Sequence, residues 1–117
     1  MPIRIKRIYE RARTSDGSRI LVDRLWPRGM AKSTAKIDEW MKELAPSNAL
    51  RKWFGHKPER WQEFQKRYRN ELRQPEKQEL MHHVRSMARK GIATLLYAAK
   101  DKEHNNAKAL AKFIEKR

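Results

Sequence analysis

A chain of 117 residues with 38% hydrophobic types, four Trp, three Tyr and three Phe has apolar material for one core, and its lack of Cys excludes a disulfide framework or a thiolate zinc site. Twenty-nine Lys and Arg against fourteen Asp and Glu leave a formal charge of +15, spread along the chain rather than gathered in a tail, which narrows the partner classes to polyanions, acidic membrane surfaces and small phosphorylated ligands. Met1-Pro2-Ile3-Arg4-Ile5-Lys6 brings a charge at every second residue where a secretory signal needs an apolar run, and the longest apolar stretch, Ile92 to Ala99, is far too short to cross about 30 Å of bilayer, so a cytoplasmic protein with no membrane partner is expected.

Ile3, Ile5, Ile8 and Tyr9 predict a first strand and Arg19-Ile20-Leu21-Val22-Asp23 a second. The turn signal Ser15-Asp16-Gly17-Ser18 separates them, so the two can pair as neighbours. Trp26-Pro27-Arg28-Gly29 cannot continue a ladder, because Pro lacks the N–H and Gly favours unusual dihedrals; a loop begins there. Ile37, Trp40, Met41 and Leu44 fit a short helix or an irregular strand, ended by Pro46. Ser47 caps a short helix through Leu50, Trp53 and Phe54, which Gly55 closes.

Pro58 and Glu59 open a clearer helix with Trp61, Phe64, Tyr68 and Leu72 on one face and Arg60, Lys66, Arg67 and Arg73 on the other. Pro75 and Glu76 begin the next, with the stripe Leu80, Val84 and Met87 and a stop at Gly91. Ile92 to Ala99 reads as a strand covered on both faces, hence central in its sheet. Asp101 is placed to cap a last helix whose buried face is Ala107, Leu110, Ala111, Phe113 and Ile114. The order predicts an α/β fold: a single layered domain over residues 1–117, with a small, mostly parallel central sheet flanked by helices.

In open α/β sheets, ligands bind beyond the carboxyl ends of strands, where helix N-termini offer free N–H groups and positive dipole. Two segments have that placement here: Asp23 to Gly29 after the second strand, and Asp101 to Asn106 opening the last helix. For an anionic ligand, Arg24 and Arg28 supply guanidinium forks, Trp26 an aromatic wall, and Asn105 and Asn106 neutral hydrogen bonds. His104, expected to be the only histidine near this site, can exchange a proton, with Asp23 or Asp101 orienting it or acting as a second acid or base. The plainer reading has Asp23 anchoring an arginine, Asp101 only capping, and His104 satisfying a buried carbonyl. His82 and His83, adjacent on a helix, point about 100° apart and make no metal pair, and His56 reads as a turn residue. No phosphate-loop, dinucleotide or Gly-x-Ser-x-Gly signature occurs, so no metal and no cofactor are expected.

Val22-Asp23-Arg24-Leu25-Trp26-Pro27-Arg28-Gly29, Glu43-Leu44-Ala45-Pro46-Ser47, Arg51-Lys52-Trp53-Phe54-Gly55-His56 and Leu95-Leu96-Tyr97-Ala98-Ala99-Lys100-Asp101, continued by His104-Asn105-Asn106-Ala107, stand in an order that resembles the YeaO-like branch of the family called domain of unknown function 488. The resemblance covers nearly the whole chain. It implies a compact cytoplasmic α/β domain of bacterial or archaeal type and supplies no catalytic residue to carry over. More distant branches have Cys-His-Arg where this chain has His104-Asn105-Asn106, so their thiol chemistry is not implied here; Lys57 stands where relatives tend to have Asp.

Two functions compete on these residues. One is a pocket for an anionic, nucleotide-like or phosphorylated small molecule, with or without enzymatic turnover; the other is a nucleic-acid-binding module that uses the basic helix faces. A structural or partner-binding role without catalysis is the third reading, and no pattern selects an oligomeric state.

Overall fold

The computed structural model describes residues 2–116. Four strands, β1 (Ile3–Arg7), β2 (Ser18–Leu21), β3 (Glu39–Trp40) and β4 (Ala93–Tyr97), form one sheet in the order β1-β4-β2-β3, and every pairing is parallel. The helices are α1 (Lys32–Ala35), α2 (Asn48–Phe54), α3 (Trp61–Glu71), α4 (Pro75–Lys90) and α5 (Asn106–Lys116). This is the layered α/β arrangement expected, with β4 buried at all five positions between β1 and β2.

The sheet sorts its side chains with a period of two. Ile20 and Val22 of the β2 segment, and Ala93, Leu95 and Tyr97 of β4, enter the larger core with α2 to α5. Leu21 and Leu96 point the other way and pack with Ile8 and Ala35, against Trp26, Met30 and Trp40. The chain therefore leaves β2 toward the thin layer, whereas α5, reached from β4, lies across β1 and β4 on the thick one. Diverging connections after two adjacent parallel strands open a crevice at their carboxyl ends, the place where such sheets bind ligands.

The pairing of β1 with β2 is corrected: β4 lies between them. The Thr14–Asp16 turn does not fold the chain back as a hairpin; it returns the chain across the sheet so that β2 runs parallel to β1 on the far side of β4. Residues 36–44 resolve into the two-residue β3 and a tight 3-10 turn at Lys42–Leu44. α1 has no apolar stripe to mark it in the sequence, and Pro58 opens a 3-10 turn that leads into α3 rather than the helix itself. Ser47 caps α2 by accepting from the Leu50 N–H, and Gly55 closes it at φ 52°.

Candidate functional site

A cavity of about 730 Å3 opens at the carboxyl ends of β2 and β4. Asp23, Arg24, Trp26 and Arg28 line it from the loop after β2, and Asp101, His104, Asn105 and Asn106 from the loop that opens α5. The structure thus brings together all eight residues singled out from the sequence. Pro27, buried between Trp26 and Arg28, also lines it, and its carbonyl accepts from the Met30 N–H at 3.3 Å.

Asp23 ties the two loops together. Its Oδ2 accepts from the Ala98 N–H at 2.9 Å and its Oδ1 from Asn106 Nδ2 at 3.0 Å, while its carbonyl accepts from Trp40 Nε1 at 2.7 Å. Asn106 Nδ2 also reaches the Val22 carbonyl at 2.9 Å. Burial pushes the Asp23 carboxyl up from its ordinary value, and the bonds from Asn106 and Ala98 and the nearby His56 offset this only in part. Asp23 anchors no arginine side chain; it joins β2, β4 and α5.

Asp101 acts on the loop rather than as the helix cap. It accepts from the Glu103 N–H at 2.8 Å and the His104 N–H at 3.0 Å, and its other oxygen meets His104 Nδ1 at 2.9 Å. The His104 hydrogen bond, followed by that from the Glu103 N–H, holds the Asp101 carboxyl below its ordinary value. The helix cap is Asn105, whose side-chain oxygen accepts from the Lys108 N–H at 2.8 Å while its Nδ2 donates to the Asp101 carbonyl at 3.0 Å. Both polar ends of Asn105 are thereby engaged, and the residue is buried. His104 satisfies no carbonyl: Asp101 fixes one ring nitrogen and Trp61 meets the ring edge-on at 5.4 Å.

The arginines differ. Arg24 is half-buried, with Nε donating to the Pro46 carbonyl at 3.2 Å, so part of its fork holds the wall formed by Ala45 and Pro46. Arg28 is exposed at the mouth, where its carbonyl accepts from the Tyr9 hydroxyl at 2.8 Å. Arg7 donates to the Ala98 and Ala99 carbonyls at 3.0 and 2.8 Å and braces the loop after β4 from outside.

Sequence reasoning missed Tyr9, Arg51, Phe54, His56, Phe64 and Lys100 in this lining. His104 is therefore not the only histidine at the cavity. His56 stands there in the left-handed region at φ 56°, directly after Gly55, a conformation uncommon for a residue with a side chain. The motif block Arg51 to His56 and the Lys100 of the next block carried that signal. His82 and His83 lie elsewhere on α4, His83 meeting Glu39 at 3.0 Å. Among the described residues, no group of three or more His, Asp or Glu side chains is placed to hold a metal ion.

Residues 2–117 match the family model described as "Inactive DUF488-N3 subclade". The chain belongs to the DUF488 family. This DUF488 chain is 44% identical over 114 residues to "Uncharacterized protein YeaO" of Escherichia coli (strain K12), covering 97% of each protein. It is 35% identical over 115 residues to Rv3073c of Mycobacterium tuberculosis (strain ATCC 25618 / H37Rv) and to Mb3100c of Mycobacterium bovis, covering 98% of this chain and 95% of each relative. The resemblance seen in the motifs is thus family membership as a YeaO-like DUF488 protein. No solved structure gives a significant match.

Proposed function

We propose that this DUF488 protein binds a small organic anion, nucleotide-like or phosphorylated, in the cavity at the ends of β2 and β4. One observation carries the reading: the lining gathers four cations, Arg24, Arg28, Arg51 and Lys100, against two carboxylates, each of which already accepts two or more hydrogen bonds from the protein. Charged clefts with apolar walls focus potential, so such an imbalance attracts anions more strongly than the same charges scattered on a convex surface. Arg28 and Arg51 face the charge, Trp26 offers an apolar wall, and His104, oriented by Asp101, presents its remaining nitrogen. Asn105 and Asn106 position the loops that carry these groups.

Binding without turnover is the form of the reading we favour. The matched family's description contains the word inactive, and among the described residues the cavity lining holds no Ser, Thr or Cys, while its one hydroxyl, on Tyr9, donates to the Arg28 carbonyl rather than to a base. Proton transfer by His104, with Asp101 as its partner and Asp23 as a separate carboxylate of raised pKa, is the catalytic version. The nucleic-acid reading is weakened by the state of the α3 face: Arg67 is paired with Glu63 at 3.0 Å and lies over the Trp53 ring, which Arg60 also covers.

A thermal-shift panel of nucleotides and sugar phosphates on the wild type and on Arg28→Ala tests the proposal. Stabilisation by at least one anion that weakens in the variant and at raised salt is expected. A broad panel with no shift sensitive to Arg28 would remove it.

A further inference from the structure

We propose, resting on the anion-binding reading above, that the cavity takes a nucleoside phosphate base first, and that Asp23 selects a base presenting two adjacent N–H donors, as guanine does.

The exposure of the lining residues orders the cavity by depth. Phe54, Phe64, Ala45 and Pro46 are buried, Asp23 and Trp26 are half-buried, and Arg28, Arg51 and Lys100 are exposed. Rings therefore lie at the base, Asp23 with the half-buried Arg24 in the middle, and the other three cations at the mouth. A ligand entering phosphate first would set its charge against aromatic rings and beside Asp23, near only Arg24, whose Nε and Nη2 already donate to the Pro46 and Ala45 carbonyls, and away from the three exposed cations. One entering with a flat apolar ring first leaves its phosphate among Arg28, Arg51 and Lys100. Trp26, half-buried and held in place by its indole bond to the Met30 carbonyl, offers such a ring an aromatic surface, over a base closed by the mutually stacked Phe54 and Phe64 with centroids 4.4 Å apart.

The carboxylate then chooses the ring. Each Asp23 oxygen accepts one hydrogen bond from the protein, Oδ1 from Asn106 and Oδ2 from Ala98. An ionised carboxylate has about four acceptor sites, so each oxygen retains capacity for a second donor. It has nothing to donate. Guanine places its ring N–H and its exocyclic amino group side by side, matching two carboxylate oxygens. Adenine sets an acceptor nitrogen beside its amino group, which brings lone pair against lone pair. A buried polar site that loses its matched partner discriminates far more strongly than an apolar pocket does.

Isothermal titration of the wild-type chain with GMP, IMP, AMP, guanosine and ribose 5-phosphate reads this directly. GMP is expected to bind tightest, AMP at least about tenfold weaker as befits the loss of a bidentate pair, and IMP between them. Guanosine and ribose 5-phosphate, each lacking one half of the recognition, fall below GMP. Asp23→Asn, which replaces one acceptor with a donor, closes the gap between GMP and AMP; if that variant does not fold, the wild-type series alone decides. Equal affinity for GMP and AMP overturns base selection while leaving the anion pocket standing. Failure of all the phosphates to bind removes the pocket itself, and this inference with it.

Discussion

Asp16 and Arg19 show how a strongly basic chain places charge inside. Asp16 Oδ2 meets Arg19 Nη1 at 2.6 Å, Lys6 Nζ lies 3.0 Å from the other oxygen, and Arg19 spends its remaining donors on the Ala35 and Lys36 carbonyls. Burial alone pushes the Asp16 carboxyl up, but the Arg13 backbone N–H with Lys6 and Arg19 outweighs it and holds the group below 3.8. A folded-state value below the unfolded one means that this carboxylate stabilises the fold above pH 3.8 and that its contribution disappears as pH falls through the lowered value. Asp16→Asn leaves Arg19 buried against a neutral group and is expected to cost about 3 kcal/mol at neutral pH. Urea unfolding at pH 7 and below pH 3.8 measures both effects, and the difference between variant and wild type shrinks at the acid end. Arg19 was unreadable as a core residue because a charged side chain at the polar start of a strand, next to Ser18, implies a solvent face; its acid partner three residues back made the difference. At the site, His104→Ala removes the side-chain partner of Asp101 and leaves its two backbone donors, so the carboxyl is expected to rise part of the way toward its ordinary value in an NMR titration.

Secondary structure was legible wherever apolar period and end signals agreed. Ser47 and Gly55 bracket α2, Pro75 and Gly91 bracket α4, and the unbroken run at 92–99 declared the buried β4. The β1 to β2 connection was not legible, since a short polar turn serves a hairpin and a parallel crossing equally until the long-range partner is known. Gly17 marks that crossing. It sits at φ 65°, and a Cβ built on it lies 2.1 Å from the Ile92 carbonyl oxygen, which already accepts from the Ser18 N–H. Gly17→Ala therefore combines strain with a backbone collision and is expected to destabilise by more than about 2 kcal/mol, read as a lowered Tm. Ser47→Ala loses the α2 cap and a 2.6 Å partner of Glu71, for an expected cost of about 1 kcal/mol. Asn105 replaced Asp101 as the α5 cap because the Asp101 carboxylate is engaged within its own turn.

At the scale of the whole molecule, helices of unequal mass on the two faces of a parallel sheet send the connections after β2 and β4 apart. That divergence creates the cavity. Its near wall came from the strand-end rule applied to the sequence, while the far wall, carrying Arg51 of α2 and His56 just after it, depended on a tertiary approach that the motif block marks but does not place. The net charge of +15 sets the wider field, and on the proposed reading the apolar walls of the cavity concentrate it. The most direct test is a proton–nitrogen NMR titration of the uniformly labelled chain with a nucleoside monophosphate at physiological salt. The account predicts saturable shifts confined to amides of residues 23–28, 51–56 and 98–106, and their loss in Arg28→Ala; shifts spread along the outward faces of α3 and α4 with the cavity amides unmoved would contradict it.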